Sequence, residues 1–195
     1  TLTLCPGASV ILTSNIPSSN TWSPNGETTK AITVNTAGSY TVTAVGSNGC
    51  SATSTPIVVQ TVSAPFVTVT PTDVTCNGGN NGTASASVTS GIGPYSYSWS
   101  TTPVQTTAIA NTLAAGNYSV VVTDANGCSA SQSTTINQPT VLSASSTQDA
   151  AIACNGGTTT VNVTASGGTS PYTGTGTFTV AAGSHSYSVV DANGC

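Results

Sequence analysis

Apolar and polar residues alternate with a period of two in short runs, and the runs are separated by clusters of Gly, Pro and Asn. This is the pattern of half-buried strands joined by tight turns. It predicts strands over Val10 to Thr13, Thr83 to Thr89 and Thr158 to Thr164. Each is followed by an aromatic strand, holding Trp22 in the first case, Tyr95-Ser96-Tyr97-Ser98-Trp99 in the second and Pro171-Tyr172 in the third. Alternation places Tyr95, Tyr97 and Trp99 on one face, read here as a core face in preference to a sugar-stacking platform. Asn-Gly, the strongest short hairpin signal, occurs seven times. No stretch approaches the roughly 18 consecutive apolar residues of a membrane helix, so membrane insertion is not expected.

The runs belong to a repeat. Ala37-Gly38-Ser39-Tyr40, Ala115-Gly116-Asn117-Tyr118 and Ala182-Gly183-Ser184-His185 each lead into a strand that ends at a turn and a cysteine: Ser47-Asn48-Gly49-Cys50, Asp124-Ala125-Asn126-Gly127-Cys128 and Asp191-Ala192-Asn193-Gly194-Cys195. The second residue of each Ala-Gly pair precedes its cysteine by the same interval, since 50 − 38, 128 − 116 and 195 − 183 all equal 12. The openings match as well: Cys5-Pro6-Gly7, Cys76-Asn77-Gly78-Gly79 and Cys154-Asn155-Gly156-Gly157. The reading is three units, 1–62, 63–139 and 140–195, the third lacking its last strand.

Composition narrows the class. Thr and Ser number 38 and 28 in 195 residues, while Lys30 is the single basic residue other than His185 and the acids number five. Strong helix formers are scarce, which favours an all-β chain. A chain with one Lys and no Arg cannot neutralise a run of phosphates, so nucleic acid is not an expected partner. The 37% apolar content and mild net charge of −4 argue against disorder. The chain opens at Thr1 with neither Met nor a signal peptide and reads as a mature or excised segment.

Several short strands per unit of about 70 residues, with an aromatic on the third, point to tandem immunoglobulin-like β-sandwiches. Trp22 and Trp99 are the expected core aromatics. Leu113-Ala114-Ala115-Gly116-Asn117-Tyr118 reads as a tyrosine corner, in which an inward phenol satisfies a backbone group; Tyr40 and His185 hold the same register. On these residues the second and third units resemble the SprB-type repeats of large surface adhesins of gliding Bacteroidota. That pattern is Cys-Asn-Gly-Gly, then Pro-Tyr-x-Tyr-x-Trp, then Gly-x-Tyr-x-Val-x-Val-x-Asp-x-Asn-Gly-Cys, and Cys76 to Cys128 follows it nearly throughout. The first unit is similar to related Ig-like modules of the same secreted proteins. The resemblance implies a surface repeat that serves as a spacer. The third unit departs from it, having no Trp and His185 in place of Tyr.

Six cysteines in so weakly charged a chain imply a disulfide framework and an oxidising, extracellular location, and the resemblance implies that this is the cell surface. Without Cys-x-x-Cys and with one His, zinc is the poorer reading. Two connectivities stay open. One pairs Cys5 with Cys50, Cys76 with Cys128 and Cys154 with Cys195, within units. In an immunoglobulin-like topology, however, the opening and closing turns lie at opposite ends of the sandwich, roughly 20 Å apart against the about 7 Å a disulfide tolerates. The other pairs Cys5 with Cys128 and Cys76 with Cys195, between units, leaving Cys50 and Cys154 for neighbouring units.

Catalytic constellations are wanting. His185 has no Asp or Glu beside it, and Glu27, Asp73, Asp124, Asp149 and Asp191 stand on different turns. The Asp-Ala-Asn-Gly segments resemble the start of a calcium loop but read better as hairpin turns. Asn81, Asn117 and Asn162 fit the glycosylation sequon, and O-linked sugars on exposed Ser and Thr are the more plausible modification. Neither cofactor nor metal is expected. The expected role is a non-catalytic, disulfide-stiffened stalk of a secreted adhesin or extracellular fibre, its partners being neighbouring repeats of a longer chain or copies of itself, with surface glycans a further candidate. The competing reading is a carbohydrate-binding accessory module of a secreted polysaccharide-degrading enzyme, which buried Trp22 and Trp99 would oppose.

Overall fold

The computed structural model describes residues 1–16 and 19–195, and these form strands and turns only. In the first repeat the strands are β1 (Leu2–Leu4), β2 (Val10–Thr13), β3 (Asn20–Ser23), β4 (Ala31–Val34), β5 (Gly38–Val45), β6 (Ser51–Thr53) and β7 (Ile57–Thr61). One sheet runs β1-β7-β5-β3, with β6 also paired to β5, and the other is β2-β4. The β1–β7 pair is parallel, with Leu2 opposite Val59. Period-two alternation sorts the side chains: Leu12, Ile32 and Val34 point inward from one sheet, Leu4, Trp22, Tyr40 and Val59 from the other, and they form one buried cluster. Each fully buried aliphatic or aromatic side chain in such a core contributes about 1.5 to 3 kcal/mol.

The second repeat has β8 (Val67–Thr72), β9 (Gly82–Val88), β10 (Ser96–Trp99), β11 (Ile109–Leu113), β12 (Gly116–Thr123) and β13 (Ser129–Ile136). Its sheets are β11-β9-β8 and β10-β12-β13. Ala84, Ala86, Ala110 and Leu113 are buried on the first, and Trp99, Val120, Val122 and Ile136 on the second. This is the immunoglobulin-like division of strands between two antiparallel layers.

The third repeat keeps one layer. The strands β14 (Ser143–Gln148), β15 (Thr158–Ser166) and β16 (Gly176–Ala181) form a sheet in that order. The other layer is represented by the single bridge between Thr173 and Val190. The expected aromatic strand at Pro171-Tyr172 is therefore not formed. The following Thr173-Gly174-Thr175-Gly176 run has no apolar alternation to bury, and Gly174 turns the chain at φ +81. Phe178 on β16 packs against Tyr187, their ring centroids 4.9 Å apart.

By proximity of the backbone the chain divides into two compact units. One comprises Thr1–Thr68, Ser87–Ser98 and Val120–Gln132, and the other Val69–Ala86, Trp99–Ser119 and Ser133–Cys195. The second repeat thus contributes residues to both.

Candidate functional site

Two kinds of turn recur, and each presents a cysteine. The opening turn lies between the first two strands of each repeat. In all three the amide three residues after the cysteine donates to the cysteine carbonyl: Ala8 to Cys5 at 3.0 Å, Gly79 to Cys76 at 2.9 Å and Gly157 to Cys154 at 3.0 Å. The third residue of the turn has positive φ, +75 at Gly7, +74 at Gly78 and +81 at Gly156, which is why Gly occupies it.

The closing turn follows the long strands β5 and β12 in the first two repeats, and in the third it follows a segment that makes only the bridge at Val190. Gly127 donates to the Asp124 carbonyl at 3.0 Å and the Asp124 amide to the Cys128 carbonyl at 2.9 Å, with Gly127 at φ +81. That is a three-residue hairpin loop, a tight turn completed by a left-handed glycine. Its Asn-Gly therefore ends a longer loop and is not the two-residue hairpin the dipeptide by itself signals. Asp191, Gly194 and Cys195 repeat the two bonds, in the same order, at 3.0 and 3.1 Å, and Gly46, Gly49 and Cys50 repeat them at 2.9 and 2.8 Å.

Asp124 and Asp191 hold these loops from inside. Both are buried, and Oδ1 of each accepts the amides two and four residues on: Asn126 and Cys128 for Asp124, Asn193 and Cys195 for Asp191, all at 2.9 Å. Oδ2 of Asp191 accepts the Thr169 amide at 2.9 Å and Oδ2 of Asp124 the Ile92 amide at 3.3 Å. The Cys195 amide, then those of Thr169, Asn193 and Gly194, hold the Asp191 carboxyl below its ordinary value against the opposing effect of burial. The first repeat has no acid here. Asn48 Oδ1 takes the Cys50 amide at 3.1 Å in its place. These carboxylates are engaged by turn amides, which favours the hairpin reading over a calcium loop.

Disulfides join the two kinds of turn. Cys5 is bonded to Cys128, Cα to Cα 5.3 Å, and Cys76 to Cys195, Cα to Cα 5.8 Å. Each pair links the opening turn of one repeat to the closing turn of the next and lies inside one of the two compact units. In the chain-entropy picture a loop of this length contributes about 4 to 5 kcal/mol, less than additively where loops overlap. Asn193 Nδ2 adds a bond to the Thr75 carbonyl at 3.0 Å, beside the second disulfide. Cys50 and Cys154 are exposed and unpaired within the chain, which is where the between-unit connectivity leaves them. Opening turns bond forward to closing turns, so the first closing turn and the last opening turn have no counterpart within these three repeats.

The other sequence-marked residues occupy separate places. The Tyr40 hydroxyl donates to the Thr36 carbonyl at 3.1 Å, Tyr118 to Ala114 at 3.1 Å, and His185 Nε2 meets the Ala181 carbonyl at 2.9 Å. All three reach back four residues, and since a carbonyl only accepts, Nε2 of His185 carries the hydrogen. Inward packing is seen at Tyr40 alone, 3% exposed; Tyr118 is half-buried and His185 exposed, because the sheet layer that would cover it is reduced to one bridge. Trp22 and Trp99 are 3% and 1% exposed, and their indole N–H groups donate to the carbonyls of Thr29 and Thr107 at 2.9 Å. Tyr95 and Tyr97 are half-buried. Of the sequon residues, Asn81 is tied to Thr75 through both amide atoms and Asn117 Oδ1 accepts the Thr135 hydroxyl, while Asn162 lies exposed on β15.

Sequence reasoning missed the fastening of the linkers. Val62 donates to the Leu4 carbonyl, Phe66 to Ser90 Oγ, and Ser90 Oγ to the Ala64 carbonyl. In the second linker Gln138 Oε1 accepts the Gly78 amide at 2.8 Å, the Pro139 carbonyl accepts from Asn77 at 2.9 Å, and the Thr140 carbonyl accepts the Gly168 amide at 2.9 Å. The only sequence signal was that these short linkers are poor in Gly.

The SprB repeat family model matches residues 68–103. No curated protein matches the chain. Among solved structures it is similar to the N-terminal eight Ig domains of Down Syndrome Cell Adhesion Molecule isoform 1.30.30, at 15% identity and TM-score 0.49 over 85% of this chain and 26% of that one. It is also similar to the amphioxus IgVJ-C2 molecule, at 15% identity and TM-score 0.34 over 70% of this chain and all of that one. The chain thus spans about a quarter of the length of the first of these structures. The family match is thus to residues 68–103 alone, within a chain whose strands and sheets are all-β and whose second repeat divides its strands between two layers in the immunoglobulin-like manner.

Proposed function

We propose that this chain is a non-catalytic, load-bearing spacer in a secreted, surface-displayed adhesin or extracellular fibre. The observation that carries the reading is the pairing of each opening turn with the closing turn of the following repeat, Cys5 with Cys128 and Cys76 with Cys195. Such bonds make consecutive repeats covalently continuous at two places, through the peptide chain and through sulfur. Linkers fastened at Val62, Phe66, Gln138 and Thr140 support the same role, because a spacer that transmits force gains from short, hydrogen-bonded connections. Disulfides of this kind persist in oxidising surroundings, which fits the extracellular side of the cell.

The carbohydrate-binding reading loses its main support. A stacking platform needs exposed aromatic faces, whereas Trp22 and Trp99 are in the core with their N–H groups bonded internally. The experiment that tests the spacer reading is single-molecule stretching from the two ends of the chain, with and without reductant. With both disulfides intact the shortest covalent path between the ends crosses both of them and the 52 residues from Cys76 to Cys128 (128 − 76). At about 3.4 Å per residue the fully stretched length is then about 200 Å, against about 660 Å after reduction. Equal lengths in the two conditions would refute the role.

A further inference from the structure

The two unpaired cysteines are complementary. Cys154 sits in an opening turn with the same cysteine carbonyl to third-amide bond, and the same left-handed glycine, as the turns holding Cys5 and Cys76. Cys50 sits in a closing turn with the same pair of backbone bonds as those holding Cys128 and Cys195. Both formed disulfides take one cysteine of each kind, and always the opening turn of the earlier repeat with the closing turn of the later one. Two worked examples of the junction therefore exist within the chain, and the half-junctions that remain are one of each sort.

We propose that Cys154 and Cys50 are the two halves of a third junction of the same kind, directional and made between successive copies of this three-repeat array. Cys154 takes the closing-turn cysteine of a module that follows, and Cys50 takes the opening-turn cysteine of a module that precedes. The partner is another module of this repeat, and a second copy of this chain carries both matching turns. The Ala153 carbonyl holds the register of the Thr75 carbonyl, which receives Asn193 at the second junction. The pairing is heterologous, so copies add head to tail instead of forming a two-fold symmetric pair.

The chemistry balances with a disulfide as the oxidant. The thiolate of Cys154 attacks oxidised glutathione, forming a mixed disulfide and releasing one glutathione thiolate. The thiolate of Cys50 from the second copy then attacks the Cys154 sulfur and releases the other. Two protein thiols give up two protons and two electrons, and one glutathione disulfide becomes two glutathiones.

The inference extends the spacer reading, and its test is separate: stretching reads the two internal bonds, while this one reads only the free thiols. Cys50→Ser and Cys154→Ser chains are purified singly, and the internal Cys5–Cys128 and Cys76–Cys195 bonds are verified in each by peptide mass. They are then incubated in a glutathione redox buffer, alone and as an equimolar mixture, and resolved without reduction. The expected result is a dimer in the mixture, carrying a Cys154–Cys50 peptide, at about tenfold the yield in either variant alone, a difference equivalent to about 1.4 kcal/mol of docking preference. Unsubstituted chain in the same buffer is expected to give a ladder of oligomers. Homotypic dimers of the single variants at equal yield, glutathione adducts without dimer, or an internal Cys50–Cys154 bond in the unsubstituted chain would each overturn it.

Discussion

Cys5, in the opening turn of the first repeat, is bonded to Cys128, in the closing turn of the second, 123 residues away. The bond spans the linker in which Phe66 stands 62% exposed, a ready target for a chymotrypsin-like protease. A single cut after Phe66 is expected to leave the fragments 1–66 and 67–195 joined on a non-reducing gel and to separate them on reduction. Fragments that part without reductant would mean that the bond does not bridge the linker.

Asp191 supplies an acid-labile element. Its carboxyl titrates below its ordinary value in the fold, because the amides of Cys195, Thr169, Asn193 and Gly194 favour the charged form. A depressed folded value means that stability is fully present above the unfolded pKa of about 3.9 and is lost as the pH falls through the folded value. The difference in Tm between the native chain and Asp191→Asn is expected to be constant from pH 7 down to about pH 4 and to shrink below it. A difference independent of pH down to strong acid would show that charge at this turn is not what the amides favour.

The corner at Tyr40 joins a buried ring to a backbone group, its hydroxyl on the Thr36 carbonyl at 3.1 Å and on Thr36 Oγ1 at 2.9 Å. Tyr40→Phe keeps the ring and removes the bond, and is expected to cost about 1 kcal/mol in denaturant unfolding. Tyr118→Phe, whose bond to Ala114 is exposed to water, is expected to cost less. Equal losses at the two sites would contradict the difference in burial.

How much of this was legible in the chain can be judged from the same residues. The alternation around Leu12, Trp22 and Trp99 gave strands and inward faces directly, because a period of two survives wherever one face is buried. The four-residue return to a carbonyl at Tyr40, Tyr118 and His185 followed from register, whereas the inward packing expected of a corner is found at Tyr40 alone. Pro171-Tyr172 misled, since an aromatic after a proline signals a strand only when a facing layer exists to pair with it. The hydrogen bonds of Ser90 and Gln138 to the linkers were invisible, because a Ser or Gln among so many polar residues has no pattern until the fold sets its partner. The choice between two connectivities for the cysteines was likewise left to three-dimensional proximity.

Trp99 separates the structural account from the glycan-binding one. At 1% exposure, with its indole N–H on the Thr107 carbonyl, Trp99→Ala is expected to cost about 3 to 5 kcal/mol of stability. A platform tryptophan would show the reverse, an unchanged Tm with loss of sugar binding.

Mass spectrometry of the unreduced protein, after alkylation of free thiols and digestion with pepsin at acid pH where disulfide exchange is suppressed, reads the junction bonds themselves. Linked peptides joining Cys5 to Cys128 and Cys76 to Cys195 are expected, with Cys50 and Cys154 alkylated in a chain purified without partners. Peptides joining Cys5 to Cys50 and Cys76 to Cys128 would make the repeats independent beads and contradict the spacer reading.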